Sequence, residues 1–298
     1  MPASSAPSIG VVDVDAGDLS AFAHLTFPAV RKAVAPFLDR TFAVGAMDGD
    51  VPVGLALGMA GPAQDFELLS VFVPALMRRQ GIGSALLSAL ERRFSAQGVQ
   101  LGIHHLTVEP HHQDSVRFLM ANGWARPVMT KLICHSTMEN AFRTPWLIRA
   151  TVPERYAIVD WGSVRADAQQ AIEAGIGTWV PEDLNPYAFE EGCHAPTSVA
   201  LVDKAAQDAV RGWVITHLID EDTLRWTCSF VDETVQSSGR IVPLWLECAK
   251  RQRAMNGPQR FMYSIPVERP RMAQFAVRRM RPWLTGLFIA CTTHKRLA

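Results

Sequence analysis

The chain has little cysteine, little tyrosine and no net charge, and each shortage removes a class of protein. Its five cysteines (Cys134, Cys193, Cys228, Cys248, Cys291) are odd in number and scattered, with no CxxC pair and no zinc-ligand spacing. That pattern excludes a disulfide scaffold and a structural zinc site, and reduced thiols in the cytoplasm are expected. With 29 Lys+Arg against 29 Asp+Glu, the chain lacks the positive excess that gives general nucleic-acid affinity. No apolar run approaches the ~20 residues that span a bilayer. The opening MPASSAPS has neither the basic segment nor the apolar core of a signal peptide. What remains is 298 residues, 48% hydrophobic and 19% charged, the composition of a folded chain with one large domain or two ordinary ones.

The first half alternates strands and helices. Ser8–Val14 is a β-rich run, and Leu19–Leu38 has helical spacing broken near Pro28 and Pro36. Thr41–Met47 and Val51–Met59 flank Asp48-Gly49-Asp50, a hairpin signal because glycine takes the positive φ of a tight turn cheaply. Phe66–Val73 is nearly continuous in apolar residues, which suits a central strand covered on both faces. Beyond it, Ile82, Leu86, Leu90 and Phe94 recur every four residues, one face of an amphipathic helix. Ile103–Val108 reads as strand, Asp114–Ala121 as a helix stopped by Asn122-Gly123, and Ala125–His135 as strand again.

Arg78-Arg79-Gln80-Gly81-Ile82-Gly83-Ser84 joins the Phe66–Val73 strand to that helix. Two glycines there allow close approach of a ligand to the backbone. The N–H groups of the first helical turn form an anion site suited to a phosphate. A ligand-free tight turn is the alternative. The sequence fits neither a P-loop nor a dinucleotide fingerprint.

The order of these parts resembles the GNAT superfamily of acyltransferases over most of residues 8–137. The specific marks are Arg78-x-x-Gly81-x-Gly83 and a short helix closing in Gly-aromatic, Ser115–Trp124. The resemblance implies an α/β (α+β) fold with a mixed, mostly antiparallel central sheet flanked by helices. It also implies acetyl-CoA or another acyl-CoA as acyl donor. The loop amides from Arg79, Gln80, Gly81, Ile82, Gly83 and Ser84 would then hold the coenzyme pyrophosphate. The backbone of Val71, Phe72 and Val73 would pair with the pantetheine arm, and the strand would splay from its neighbour near His104–Val108. Glu67 matches the position of the family's general base; a solvated strand-end carboxylate is the alternative. Simple alternation puts Glu67, Leu69, Val71 and Val73 on one face. The position of the family's tyrosine acid is occupied by Leu119, and all three tyrosines (Tyr156, Tyr187, Tyr263) fall in the second half. His104, His105, His111 and His112 crowd the same region. Neighbouring strand residues point to opposite faces, which argues against a shared metal, so no metal is expected and a substrate-facing histidine is the other use.

The second half repeats the element order roughly 157–159 residues later, at the scale of a whole domain. Leu224–Val231 takes the place of Phe66–Val73, and Gln236-Ser237-Ser238-Gly239 echoes Arg78-x-x-Gly81. Ile241 replaces the second glycine, and Arg225 or Trp226 falls where Glu67 stands. The expected organisation is therefore a GNAT-like acyl-CoA-binding domain over 1–140 and a degenerate GNAT-like copy over 141–298, with Glu139–Trp146 as linker. The copy would wall the acceptor site or serve as a plain stability partner. Residues 150–224 hold 4 Lys+Arg and 13 Asp+Glu, and residues 225–298 hold 13 and 4. These stretches either neutralise each other or leave a basic run, Arg278-Arg279-Met280-Arg281, for an acidic carrier protein or the nucleotide's 3′-phosphate.

The expected activity is acyl transfer from acyl-CoA, or from a carrier-protein thioester, to an amine of a small molecule or protein. The rivals are a thioester decarboxylase or O-acyltransferase on the same scaffold, and a non-catalytic acyl-CoA-binding protein. Neither nucleic acid nor a membrane is an expected partner.

Overall fold

The computed structural model describes residues 9–15, 17–108, 113–236, 239–255 and 257–297. Its strands are β1 (Ile9–Val14), β2 (Thr41–Asp48), β3 (Val51–Ala60), β4 (Asp65–Phe72), β5 (Leu101–Val108), β6 (Val128–Thr137), β7 (Tyr156–Asp160), β8 (Val199–Asp203), β9 (Ala209–Leu218), β10 (Thr223–Val231), β11 (Arg260–Pro266) and β12 (Gly286–Arg296). Its helices are α1 (Pro28–Val34), α2 (Ile82–Ser95), α3 (Gln113–Ala121), α4 (Met138–Arg143), α5 (Pro145–Ile148), α6 (Ala166–Gly175), α7 (Glu233–Gln236), α8 (Ile241–Ala254) and α9 (Pro270–Phe275). Short 3-10 turns join several of them. The sequence reading reached most of these elements within a few residues.

Two compact units form: Met1–Thr130 with Ile289–Ala298, and Lys131–Phe288. The division departs from 140/141 because β6 and β12 pair far from their sequence neighbours. Lys131–Thr137 of β6 run antiparallel to β11 in the second unit, and Ile289–Arg296 of β12 run antiparallel to β5 in the first. The segment 139–146, expected as a linker, belongs to the second unit's core. It forms α4 and the start of α5, and Met138, Ala141 and Leu147 are buried in an apolar cluster with Leu244, Trp245 and Cys248 of α8.

In the first unit the strand order is β1-β2-β3-β4-β5-β12. All pairs are antiparallel except β4 with β5, which are parallel. On one face α2 buries Leu86, Leu87, Leu90 and Phe94 completely against Val44, Ala56, Phe66 and Leu68. Phe66 stacks on Phe94 at 4.2 Å between ring centroids. Each such side chain contributes about 1.5–3 kcal/mol by leaving water. The other face carries Phe22 and Leu25 over Leu55 and Leu57, with Leu69 and Phe72 packed alongside.

In the second unit the order is β6-β11-β10-β9-β8-β7, again antiparallel apart from β10 with β11. Helix α8 stands where α2 stands in the first unit and has the same length, 14 residues. Three ion pairs, Asp160–Arg251, Asp183–Arg269 and Asp222–Arg260, join the acidic stretch of this half to the basic one. Among the described residues no helix is long and apolar enough to cross a membrane.

Candidate active site

The site grows out of β4. Parallel pairing between β4 and β5 covers only Asp65–Glu67 against Leu101–Ile103 and then stops. Beyond it β5 continues to Val108, paired on its far side with β12. The β5-facing edge of Leu69–Val73 therefore lies outside the strand ladder, at a splay close to that implied near His104–Val108. An open strand edge offers N–H and C=O groups to an extended ligand, in the manner of an added strand.

A β-bulge lies at the mouth of the splay. Leu57 pairs with Ser70 and Gly58 with Leu68, which leaves Leu69 without an opposite residue. The extra residue overturns the alternation expected from sequence. Phe66, Leu68, Val71 and Val73 face the α2 cluster, whereas Leu69 and Phe72 face the N-terminal helices. Glu67, between Phe66 and Leu68, projects to the Leu69 side and is half-buried. The hydroxyl of Ser70, also in the bulge, is buried with no hydrogen-bond partner among the described residues.

The loop after β4 has the conformation an anion site needs. Arg79 and Gly81 hold positive φ, +65° and +81°, and α2 starts directly after Gly81. Its first-turn N–H groups lack intrahelical acceptors and point out of the helix start. A Cβ built on Gly81 would meet no atom within 4 Å, so Gly81 serves its dihedral and leaves open space above the loop. Gly83 has a different reason. Its Cβ would come within 3.2 Å of the Phe118 ring of α3, so this glycine closes the α2–α3 contact instead of clearing room for a ligand. Arg79, Gln80 and Gly81 are exposed, Gly83 and Ser84 half-buried, and only the Ile82 side chain is buried in the core.

Arg78 is exposed but tethered. Its Nε donates to the Val73 carbonyl at 2.9 Å and ties the loop to the end of β4. The second unit repeats this device: Gln236 Nε2 donates to the Val231 carbonyl at 2.9 Å, and Gly239 holds φ +67°. The shared spacing of five residues, Val73 to Arg78 and Val231 to Gln236, was the signal in sequence that identifies the tie. The second β4-like strand also stops its parallel pairing at Arg225 with Met262, where the first stops at Glu67 with Ile103. Arg225 is exposed on β10, and no carboxylate replaces Glu67 there. Pro243 adds a further change, since the first turn of α8 loses one amide donor to it.

The histidines separate. His104 Nδ1 lies 2.6 Å from the Leu68 carbonyl, just past the last β4–β5 pair. Its pKa is lowered, first by burial; the Leu68 carbonyl opposes that shift, the neighbouring His105 adds to it and Glu67 opposes it. His105 is exposed, and its Nδ1 meets Thr292 Oγ1 of β12 at 3.0 Å. His111 and His112 lie outside the described residues. Leu119, at the tyrosine position, is buried in the α2 cluster beside Trp124. Tyr187 donates to the Gln169 carbonyl and Tyr263 to Met280 Sδ, both inside the second unit.

Beneath the site, Glu91 of α2 is held by Trp124 Nε1 at 2.9 Å and Lys295 Nζ at 2.6 Å, and Lys295 also reaches the Asn122 carbonyl. This network fastens β12 to α2, the helix that follows the glycine loop.

The family model for the acetyltransferase (GNAT) family matches residues 18–124. A tandem GNAT protein from the clavulanic acid biosynthesis pathway, solved without AcCoA, aligns over 98% of this chain and 99% of its own at 14% identity, with TM-score 0.67. A GCN5-related N-acetyltransferase from Sphaerobacter thermophilus aligns over 97% and 96% at 13% identity, TM-score 0.68. A glucosamine N-acetyltransferase region of a fungal multi-domain β-N-acetylglucosaminidase aligns over 99% of this chain and 39% of the other at 14% identity, TM-score 0.64. No curated protein matches the sequence. At these identities the likeness is one of fold. Residues 18–124 match the GNAT acetyltransferase family, and over nearly its whole length the chain shares its fold with a tandem GNAT protein and with a GCN5-related N-acetyltransferase.

Proposed function

We propose that the first unit binds acetyl-CoA or another acyl-CoA and moves the acyl group to an amine of a small molecule or protein. The observation that carries this reading is the conjunction on β4 of three parts: an open edge at Leu69–Val73, a positive-φ anion loop at its end, and Glu67 at its start. The same edge would accept the pantetheine of an acyl carrier protein. The acyl-CoA supplies an acyl group activated as a thioester.

The chain's residues would act as follows. Amides of Arg79 to Ser84 hold the pyrophosphate by charge-assisted hydrogen bonds. The backbone of Val71, Phe72 and Val73 pairs with the pantetheine arm. The backbone N–H at the Leu69 bulge would polarise the thioester oxygen, a role for a preorganised donor. Glu67 takes the proton that the amine must lose as the new amide bond forms, directly or through water. The C–S bond breaks, and the thiolate takes its proton from water, since Leu119 offers none. With Ile241 for the second glycine, Pro243 in the first helical turn and Arg225 for Glu67, the second unit would hold no coenzyme by this route.

Native mass spectrometry of freshly purified protein should show one coenzyme A or acyl-CoA per chain. Glu67→Gln should lower turnover by about 10²–10⁴-fold while calorimetry finds coenzyme affinity unchanged. Equal turnover in the variant removes Glu67 from the mechanism. The burial of Leu119 favours one second reading, a thioester decarboxylase that needs no acid for a leaving thiol. Malonyl-CoA incubated alone would then lose carbon dioxide to give acetyl-CoA, and its persistence rules that reading out.

A further inference from the structure

The splay between β4 and β5 needs a cause, because two adjacent parallel strands gain a backbone hydrogen bond at each step they stay together. Pairing ends at Glu67 and Ile103. The next β4 carbonyl toward the gap, that of Leu68, belongs to a residue only 2% exposed. A carbonyl so placed must find a donor. In a continued ladder the donor would be a β5 backbone amide. Here it is the imidazole of His104, with Nδ1 2.6 Å from the oxygen. A carbonyl only accepts, so Nδ1 carries the proton and donates.

We propose that His104 is the strut that sets the β4–β5 splay. Its ring satisfies Leu68 from the side and holds β5 one ring-width away, so the edge of Leu69–Val73 stays open for the pantetheine arm. His104 is a positioning residue, acting through the strand spacing, and it is distinct from Glu67 in role and in direction. Glu67 lies on the Leu69 side of the sheet, while His104 closes the root of the gap. The proposal rests on the reading that the coenzyme arm enters this splay.

Three variants separate the possibilities. Asparagine can place its amide Nδ2 where the histidine places Nδ1, so His104→Asn keeps the donor and lacks the second ring nitrogen. His104→Leu and His104→Ala remove the donor. Coenzyme A affinity, measured by calorimetry, should fall about tenfold in the leucine and alanine variants, the size of one lost hydrogen bond. In the asparagine variant it should stay within about twofold of wild type, because the bond is kept. Hydrogen–deuterium exchange on the unliganded proteins supplies a readout independent of the ligand. Amides of residues 104–108 should exchange more slowly in His104→Leu, as the ladder zips onward, and at the wild-type rate in His104→Asn. Wild-type affinity and exchange in both donor-free variants overturn the strut. So does an asparagine variant that fails like the leucine one. Should wild type bind no coenzyme A while the exchange differences persist, the strut stands and the coenzyme reading falls.

Discussion

At the scale of single residues, the two loop glycines look equivalent in sequence and differ in space. Gly81 sits at φ +81° with open space where a Cβ would go. Gly81→Ala should therefore cost about 1–2 kcal/mol of backbone strain and weaken coenzyme A binding, read by thermal melting and calorimetry together. Gly83 is helical, and its Cβ would press on the far end of the Phe118 side chain at 3.2 Å. Gly83→Ala should shift the melting temperature only slightly and leave coenzyme affinity close to wild type. Binding loss confined to Gly83→Ala would reverse these assignments. The turn at Gly81 was legible because it rests on local chemistry, a glycine between strand and helix, whereas Glu67 was singled out only by its match to the family's base position. The face on which Leu69, Val71 and Val73 lie was not legible. Strict alternation is the only rule a strand sequence offers, and the bulge at Leu69 is a property of β3 and β4 as a pair.

At the scale of elements, α2 depends on the last strand of the chain. Glu91 is 9% exposed and spans Trp124 and Lys295. Lys295→Met leaves that carboxylate facing the interior without its counter-charge. Removal of one partner from a buried pair costs about 3–5 kcal/mol, and with the Lys295 side chain 23% exposed the expected loss is nearer 2–3 kcal/mol. Denaturant titration should show it, and Glu91→Gln combined with Lys295→Met should recover part of it. A loss below about 0.5 kcal/mol, the scale of a surface pair, would show that the network does not fasten β12 to α2. Nothing in residues 82–95 names Lys295 as a partner, because the two are more than 190 positions apart in sequence.

At the scale of the whole molecule, the chain's ends decide where the units divide. Deletion after Phe288 removes Ile289–Arg296 from beside β5, along with Lys295 and the Thr292 hydroxyl at His105. The truncated chain should lose coenzyme binding by the first unit while the second unit keeps its hydrogen-exchange protection. Retained binding would show that β12 is dispensable. Acid should also weaken the whole fold. Burial lowers the pKa of His104, His135 and His194 in the folded state. Their unfolded value is about 6.5, so below that pH the unfolded chain binds protons that the folded chain refuses. Their stability contribution is complete above about pH 6.5 and is lost as pH falls. Asp203, held below its ordinary range chiefly by Arg155, extends the loss to more acid pH. Melting temperature should fall from pH 7.5 to 5.5 by an amount that His194→Gln reduces; a flat profile would remove these half-buried histidines as its cause.

The sequence by itself determined the periodic and the local: strand and helix order, α2 and its buried face, the glycine turn, and the second copy some 158 residues on. These follow from side-chain spacing and backbone freedom, which act over a few residues. Tertiary structure decided what depends on pairing: the bulge that turns Val71 and Val73 away from the Glu67 face, the partner that His104 finds in Leu68, the transfer of β6 and β12 to the units that hold their ladders, and the absorption of Met138 and Leu147 into a core. The physical reason is that a strand's hydrogen bonds are satisfied by whichever edge the fold brings alongside, and the chain between two such edges carries no record of the meeting.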